Sequence, residues 1–186
     1  GRRILSFLSF AYKGWKLRRK IQRPDALLAY TAPLSVAELG KRLSSYWNIP
    51  FFLEIADVWP EVPIGMGIIK RKFLIQWLRN RTREIYQATS HIFTFSPDMK
   101  KLVLKEGIAP HKVHTIYNGT TRRLLYETVS KPEKFDQFLV HILYTGTMGL
   151  ANDVGQLIQA FHLLEKKGHS HLRLDIVGQG NEAEKV

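Results

Sequence analysis

The chain of 186 residues contains no cysteine, which excludes a disulfide scaffold, a cysteine-ligated zinc site and cysteine catalysis. It also lacks long apolar runs. No stretch reaches the roughly 18 apolar residues that a membrane-spanning helix needs, and the N-terminus has no small-residue cleavage site, so we expect no signal peptide. Acidic residues are scarce, because 16 Asp and Glu stand against 28 Lys and Arg, and the formal net charge is +12.

The remaining composition is that of a globular protein. Apolar residues make up 45% of the chain and charged residues 24%, values that argue against wholesale disorder. The length accommodates one or two domains. The chain begins with Gly1 rather than methionine, and residues 181–186 look like the opening of a helix. We therefore expect a fragment of a longer protein.

The positive charge is concentrated in the first two thirds of the chain. Residues 1–123 contain 22 Lys and Arg and 8 Asp and Glu, a net charge of +14, whereas residues 124–186 contain 6 and 8, a net charge of −2. This asymmetry predicts two units with different partners. The boundary falls in residues 120–137, which contain a proline, several charges and no clear periodicity.

Residues 1–23 combine basic and aromatic side chains, and Ile4, Leu8, Ala11 and Trp15 recur at helical spacing. This pattern is typical of a helix at a membrane interface, where basic residues meet anionic lipid. The alternative is a surface helix packed on the core, with its basic residues solvated. Nucleic acid also attracts positive charge. However, the chain has no RNP, KH, homeodomain or zinc-finger pattern, so we do not expect a nucleic-acid partner.

Short apolar strands alternate with amphipathic helices, which predicts an α/β fold with a parallel sheet. The six predicted strands are Ala26–Tyr30, Phe51–Ile55, His91–Phe95, Val113–Tyr117, Leu139–Tyr144 and Leu172–Val177. The apolar face of the second helix between strands is marked by Ile69, Phe73, Trp77, Leu78 and Ile85. Because the strands are nearly continuous apolar runs, we expect helices on both faces of the sheet.

Ligands of open α/β sheets bind beyond the carboxyl ends of the strands, so the loops there are candidate sites. Gly146-Thr147-Met148-Gly149 lies between a strand and a helix, where glycines and free N–H groups favour a phosphate. The alternative is an ordinary turn. Gly178-Gln179-Gly180 opens a match to the G-x-G-x-x-A pattern, which is weakly specific by itself.

Asp57 follows the second strand beside Trp59, where its carboxylate can orient a sugar hydroxyl or act as a base. The alternative is a capping or loop-bracing role. Ser96 is predicted as a helix N-cap and Asn118 as part of a turn. The histidines show no helical metal spacing, and no G-x-S-x-G or Walker loop is present, so we expect no metal.

Several stretches together carry a resemblance to retaining glycosyltransferases of the GT-B fold, family 4. Within that family the chain is similar to bacterial enzymes that add amino sugars during O-antigen or capsule assembly. The resemblance covers most of the chain, from about Ile4 onward. The matching stretches are Asp57-Val58-Trp59-Pro60-Glu61, His91-Ile92-Phe93-Thr94-Phe95-Ser96 with Met99, Ile116-Tyr117-Asn118-Gly119, Leu143-Tyr144-Thr145-Gly146-Thr147-Met148-Gly149 and Ile176-Val177-Gly178-Gln179-Gly180.

The resemblance implies two Rossmann-like parallel-sheet domains, both incomplete here. Residues 1–120 are expected to form part of an acceptor-binding domain, residues 121–137 a linker, and residues 138–186 the start of a nucleotide-sugar-binding domain. It implies sugar transfer with retention from a nucleotide-sugar donor to a glycan or polyisoprenyl-linked acceptor, without a metal or other cofactor. The expected location is the cytoplasm, at the inner face of the cytoplasmic membrane, with residues 1–23 on the anionic lipid.

The resemblance also suggests roles for individual residues. The loop Gly146–Gly149 matches the segment that lies against the donor phosphates, and Gly178 and Gly180 match a glycine turn near the nucleotide. Asp57 matches a polar position on the acceptor side of the cleft. Trp59, Ser96 and Asn118 are expected on the same side.

Departures from the family pattern weaken parts of this interpretation. The first glycine loop is followed by Asn152 and Asp153, with no basic residue before Lys166, whereas many relatives carry Arg and Lys there. The family's first glycine loop and its paired glutamates would lie outside the chain, so we expect the chain alone to be inactive. The alternatives are a GT-B sugar-nucleotide epimerase and a non-catalytic basic module for membrane or nucleic acid.

Overall fold

A computed structural model describes residues 2–31, 33–122 and 139–185. The chain divides into two compact units, Gly1–Thr120 and Thr121–Val186. Most of the predicted linker falls in residues 123–138, outside the described residues. The functional roles expected for the two units remain predictions.

The first unit alternates helices and strands as the sequence pattern predicts. Its elements in chain order are α1 (Arg2–Leu17), β1 (Leu27–Thr31), α2 (Leu34–Trp47), β2 (Phe51–Ile55), α3 (Glu61–Gly65), α4 (Lys72–Ala88), β3 (His91–Thr94), α5 (Pro97–Lys105), a 3₁₀ turn (Pro110–Lys112) and β4 (Val113–Thr115).

The four strands form a parallel sheet in the order β1-β2-β3-β4. Leu53 of β2 pairs with Ala29 of β1 and with Ile92 of β3, and Ile92 pairs with Val113 of β4. Because all strands run in the same direction, their carboxyl ends meet at one edge of the sheet. The predicted α/β class with a parallel sheet is confirmed.

The expectation of helices on both faces of this sheet is wrong for the described residues. One face contributes buried side chains such as Leu53, Ile55 and Ile92 to a core shared with Ile85 of α4 and Val103 of α5. On the other face, Leu28 and Tyr30 are exposed. The cause is topological: right-handed crossovers that all step in the same direction place their helices on the same face.

The apolar face expected for α4 is also only partly correct. Ile85 is fully buried, but Phe73 and Trp77 are 70% and 57% exposed, and Ile69 precedes the helix. The buried stripe instead runs through Thr82, Ile85 and Tyr86. Apolar side chains occur on two faces of this helix at similar spacing, and the periodicity alone does not tell which face meets the sheet.

Helix α1 packs along α2 through a narrow strip of its surface. A Cβ at Gly14 would approach the Leu39 side chain to 2.6 Å, so glycine permits the two helices to come close. The Trp15 and Tyr46 rings meet edge to face at 5.8 Å, and the Arg18 guanidinium lies over the Trp15 ring. Helix α1 therefore buries only part of the apolar face that the sequence predicts, since Leu8 is exposed.

The second unit contains a strand–helix–strand arrangement in its described part. Its elements are β5 (Val140–Thr147), α6 (Val154–Lys166), β6 (Leu172–Gln179) and a 3₁₀ turn (Ala183–Lys185). The two strands pair in parallel from Val140–Leu172 to Thr147–Gln179. All six strands predicted from the sequence are therefore present, with ends displaced by at most three residues.

Every helix within residues 2–31, 33–122 and 139–185 falls short of the length and apolar character that a membrane-spanning segment requires.

The contact of α2 with the sheet predicts an unusual effect of alanine at Gly40. A Cβ there would lie 2.7 Å from the ring of the buried Phe51. Alanine gains about 1 kcal/mol of helix propensity, but overpacking a rigid core costs about 1–3 kcal/mol. A contact of 2.7 Å with a buried ring places this cost at the upper end of its range, so we expect Gly40→Ala to lower the free energy of unfolding by about 2 kcal/mol in urea denaturation.

The matched control is Gly65→Ala, because a Cβ at Gly65 meets no atom within 4 Å. Its effect should stay within about 0.5 kcal/mol. A Gly40→Ala chain as stable as the parent would contradict the packing of α2 on β2 described above.

Candidate functional site

The candidate residues of the first unit meet at the carboxyl edge of its sheet. Asp57 follows β2, Ser96 follows β3 and Asn118 lies beyond the end of β4, and these are neighbouring strands. Asp57 and Asn118 are exposed, whereas Ser96 and Trp59 are partly buried. The structure thus brings to one edge four side chains that the sequence analysis placed on the acceptor side.

Ser96 is engaged in helix capping, as its sequence context predicts. Its hydroxyl oxygen accepts a hydrogen bond of 3.2 Å from the Met99 N–H, Pro97 is the first helical residue of α5, and Gly107 beyond the end has a φ of +78°. The hydroxyl proton is not used by this cap and can be donated to another acceptor.

Two buried threonines, which the sequence analysis did not single out, brace this edge. The Thr31 hydroxyl donates to the Glu54 carbonyl and accepts from the Ala56 N–H, both at 3.3 Å. The Thr94 hydroxyl lies 3.2 Å from the His114 carbonyl and 3.3 Å from the Ser96 carbonyl. These bonds fix the backbone immediately before Asp57 and at Ser96.

The glycine segments of the second unit are less loop-like than predicted. Gly146 and Thr147 lie within β5, and Gly178 lies within β6. A Cβ at Gly178 would collide with the Gly146 carbonyl oxygen, and a Cβ at Gly180 with that of Met148. Close approach of the two strands therefore accounts for Gly178 and Gly180 without a ligand.

Because Gly146 and Thr147 belong to β5, the loop between β5 and α6 begins at Met148. The Met148 side chain is buried, and its N–H donates to the Gln179 carbonyl at 2.9 Å. The Gly149 carbonyl accepts from the N–H groups of Asn152 and Asp153. Asp153 precedes α6 with a φ of 40° and provides no side-chain cap. Uncapped N–H groups at a helix start attract anions, so Gly149 and the start of α6 are the parts best placed to meet a phosphate.

A cavity of about 470 Å³ lies in the first unit between α4 and α5, beside Trp59, Pro60 and the first residue of α3, Glu61. The Trp59–Pro60 peptide bond is cis. The Arg79 guanidinium donates to both Glu61 carboxylate oxygens, at 2.8 and 3.0 Å. Arg83 donates to Glu106 at 2.9 Å. These pairs connect α4 to α3 on one side and to the end of α5 on the other.

The buried part of the cavity lining is polar. Thr82 and Tyr86 are each only 3% exposed, and the Thr82 hydroxyl has no hydrogen-bond partner among the described residues. Burial, together with the negative charges of Glu106 and Glu61, raises the pKa of the Tyr86 phenol. The hydrogen bond and the charge of Glu61 raise the pKa of Arg79. Tyr86 is therefore a neutral hydroxyl and Arg79 a cation throughout the physiological pH range.

Among the described residues that line this cavity, Trp59 is the one that the sequence analysis predicted as a site residue. Glu61 and Arg79 are separated by 18 residues and meet because α4 folds back past the turn after β2. The signal available in the sequence was the motif Asp57–Glu61, which ends on Glu61 itself. Its partner on α4 depends on a tertiary contact.

Within the described ranges, His, Asp and Glu side chains nowhere gather in groups of three that would hold a metal ion. The expectation that no metal takes part stays a prediction.

Comparison with known proteins adds a family and a fold. A family model described as Glycosyltransferase Family 4 matches residues 2–122. The structure is similar to that of Anabaena Alr3699/HepE in complex with UDP, with a TM-score of 0.50 and 13% identity over 89% of this chain and 51% of that chain. At this identity the likeness shows the fold alone: α/β with parallel sheets, consistent with a fragment of a GT-B glycosyltransferase.

Two further structures of the same Anabaena protein are similar with lower scores. The complex with UDP and glucose gives a TM-score of 0.47 at 12% identity, and the complex with UDP-glucose gives 0.45 at 13%. The chain spans about half the length of these structures, 51% in each case. No curated protein sequence matches the chain.

The buried Tyr86 predicts a loss of stability at alkaline pH. Because its pKa is raised in the folded chain, the unfolded chain, with a tyrosine pKa of about 10, releases the proton first as the pH rises. Above about pH 10 we therefore expect the parent to lose stability relative to Tyr86→Phe. The loss should be up to about 1.4 kcal/mol per pH unit.

Chemical denaturation at a series of pH values from 8 to about 11 measures this shift. Tyr30→Phe is the control, because Tyr30 is an exposed tyrosine. A Tyr86→Phe difference that stays constant would contradict the burial of the Tyr86 hydroxyl.

Proposed function

The chain belongs to Glycosyltransferase Family 4, and from this premise we propose that it is part of an enzyme that moves a sugar from a nucleotide-sugar donor to a glycan acceptor with retention of configuration. In the proposal the sugar is an amino sugar or hexose, and the acceptor is lipid-linked. The product is a cell-surface polysaccharide assembled at the inner face of the cytoplasmic membrane.

The match of the family model to residues 2–122 carries the proposal. It covers the first unit, whose sheet edge collects Asp57, Ser96 and Asn118 on neighbouring strands. Ligands of open parallel sheets bind at this edge. The arrangement therefore supports an acceptor site in the first unit.

A nucleotide-sugar donor is supported by the second unit. Its parallel strands lead into the uncapped start of α6 next to Gly149, an arrangement that favours phosphate oxygens. The solved structure of Anabaena HepE with TM-score 0.50 contains UDP, which supports a uridine diphosphate sugar as the first donor to test.

In the proposed reaction the bond between the anomeric carbon and the diphosphate oxygen breaks, and a bond from that carbon to an acceptor hydroxyl oxygen forms. The hydroxyl proton must leave as the new bond forms. Asp57 is the carboxylate proposed to orient this hydroxyl or to accept its proton, because it is exposed at the edge where the acceptor is expected. We propose no metal or other cofactor.

Contact with an anionic membrane is supported by α1. Leu5, Leu8, Phe10 and Tyr12 are exposed on this helix, although Trp15 packs against α2. The basic side chains of residues 5–20 make no ion pair with any described residue. Exposed apolar side chains on a helix, with unpaired cations on it and immediately after it, favour binding to a headgroup layer that contains anionic lipid.

Substitution of Asp57 tests the proposed chemistry. In the full-length protein, Asp57→Asn keeps the shape of the side chain but removes its charge and basicity. We expect kcat for sugar transfer to fall roughly 100-fold or more, as for loss of a general base, with an unchanged melting temperature.

Asp25→Asn is the matched control, since Asp25 is also exposed but precedes β1 at the opposite edge of the sheet. It should leave transfer unchanged. Full activity in Asp57→Asn would remove Asp57 from the site, and the absence of any transfer from nucleotide sugars by the parent would refute the proposed function.

The membrane contact is tested by replacing one exposed leucine. Burying a leucine side chain contributes about 1.5–3 kcal/mol, so Leu8→Ser should weaken binding to vesicles with anionic lipid at least roughly tenfold in a sedimentation assay. Leu163→Ser is the control, because Leu163 is an equally exposed leucine on α6.

Binding should also decline as salt rises, because screening shortens the reach of the cations on α1. Equal binding by the parent and Leu8→Ser, or equal loss in Leu8→Ser and Leu163→Ser, would show that α1 does not carry the contact.

A further inference from the structure

The cavity between α4 and α5 has a composition that restricts what it can bind. Its volume of about 470 Å³ lies in the range of small-molecule sites, roughly 300–1,000 Å³. All of its lining residues belong to the first unit. The cavity therefore lies entirely within one compact unit.

The charges of the cavity are almost balanced internally. Arg79 is held by Glu61, and Arg83 by Glu106, with N–O distances of 2.8–3.0 Å. Lys105 is the remaining cation of the lining, and it makes no ion pair within residues 5–31, 33–122 and 139–185. A phosphate would have to compete with two carboxylates for the arginines, so a neutral ligand is favoured.

The unused hydrogen-bonding capacity of the cavity suits hydroxyl groups. The carboxylates of Glu61 and Glu106 have lone pairs left to accept further hydrogen bonds. The buried Thr82 hydroxyl lacks a partner in the described part of the chain. Tyr86 adds a neutral hydroxyl on the buried side of the lining. The two carboxylates accept hydrogen bonds and the two hydroxyls can donate or accept them, a combination that suits the neighbouring hydroxyls of a pyranose.

The apolar wall complements these polar groups. Trp59 and Leu102 line the cavity, and the Trp59 indole is only partly buried. Indole rings provide a flat apolar surface next to polar partners. The C–H face of a sugar ring fits such a surface, whereas a lipid chain would remove water from the two ion pairs and leave the Thr82 hydroxyl without a partner.

We propose that this cavity binds one sugar ring of the neutral acceptor saccharide, with the ring against Trp59 and its hydroxyls hydrogen-bonded to Glu61, Glu106 and Thr82. The identification of that saccharide as the acceptor rests on the proposed function. Binding of the sugar itself does not require the donor or the transfer reaction.

Titration of the full chain with free sugars tests the proposal. Glucose, galactose, N-acetylglucosamine and rhamnose serve as probes, with inorganic phosphate as the anionic comparison. Saturation-transfer NMR detects binding to the chain. We expect millimolar binding of at least one sugar and no competition from phosphate.

Two variants locate the binding. Thr82→Val removes the unpartnered hydroxyl without loss of volume, so it should preserve or raise the stability of the chain. The same variant should lower the affinity for the sugar at least threefold. Glu106→Gln should lower the affinity for the sugar about tenfold, the loss expected when a hydrogen bond to a charged group is removed. Glu38→Gln is the control, because Glu38 also pairs with arginines, at 2.7 and 2.9 Å, but lies outside the cavity.

Several results would overturn the proposal: no binding of any sugar, binding that survives both Thr82→Val and Glu106→Gln, or phosphate bound with an affinity that the same variants lower. Nucleotide-sugar binding by the full-length protein is measured separately. Cavity-dependent sugar binding in a protein that binds no nucleotide sugar would sustain the saccharide site and refute the proposed transferase function.

Discussion

The parallel pairing of β1 to β4 in chain order is the constraint on which the rest of the first unit depends. Because each crossover steps to the next strand in the same direction, all helices between strands lie on one face and all carboxyl ends lie at one edge. Asp57, Ser96 and Asn118 reach a common edge for this reason. The same topology places α4 and α5 on one face, where the turn after β2 completes the cavity between them.

Ion pairs between the helices neutralise part of the positive charge of the first unit. Arg81 of α4 contacts Glu38 of α2 and Glu84 at 2.7 Å, and Lys41 contacts Glu84 at 3.0 Å. Exposed pairs of this kind add little stability, about 0–1 kcal/mol each. Their effect is to neutralise much of the basic charge of α4, whereas Lys13 and Lys16 of α1 make no ion pair with any described residue.

Strand positions and the cap of α5 followed from the sequence, because local signals such as Ser96 followed by Pro97 determine them. Other features depend on tertiary contacts. The face of α4 that meets the sheet was mistaken, since Phe73 and Trp77 repeat at helical spacing yet point to solvent. Gly178 was predicted in a loop but lies in β6, because pairing with β5 continues past the apolar run. The partnership of Glu61 with Arg79 has no sequence signature.

The proposal that the two units serve a sugar transfer with retention is tested most directly by the configuration of the product. The full-length protein is incubated with a uridine diphosphate sugar and a lipid-linked glycan acceptor, and the anomeric proton of the new linkage is examined by NMR. The account predicts a product with the same anomeric configuration as the donor. An inverted product, or a donor that is consumed without transfer to the acceptor, would contradict it.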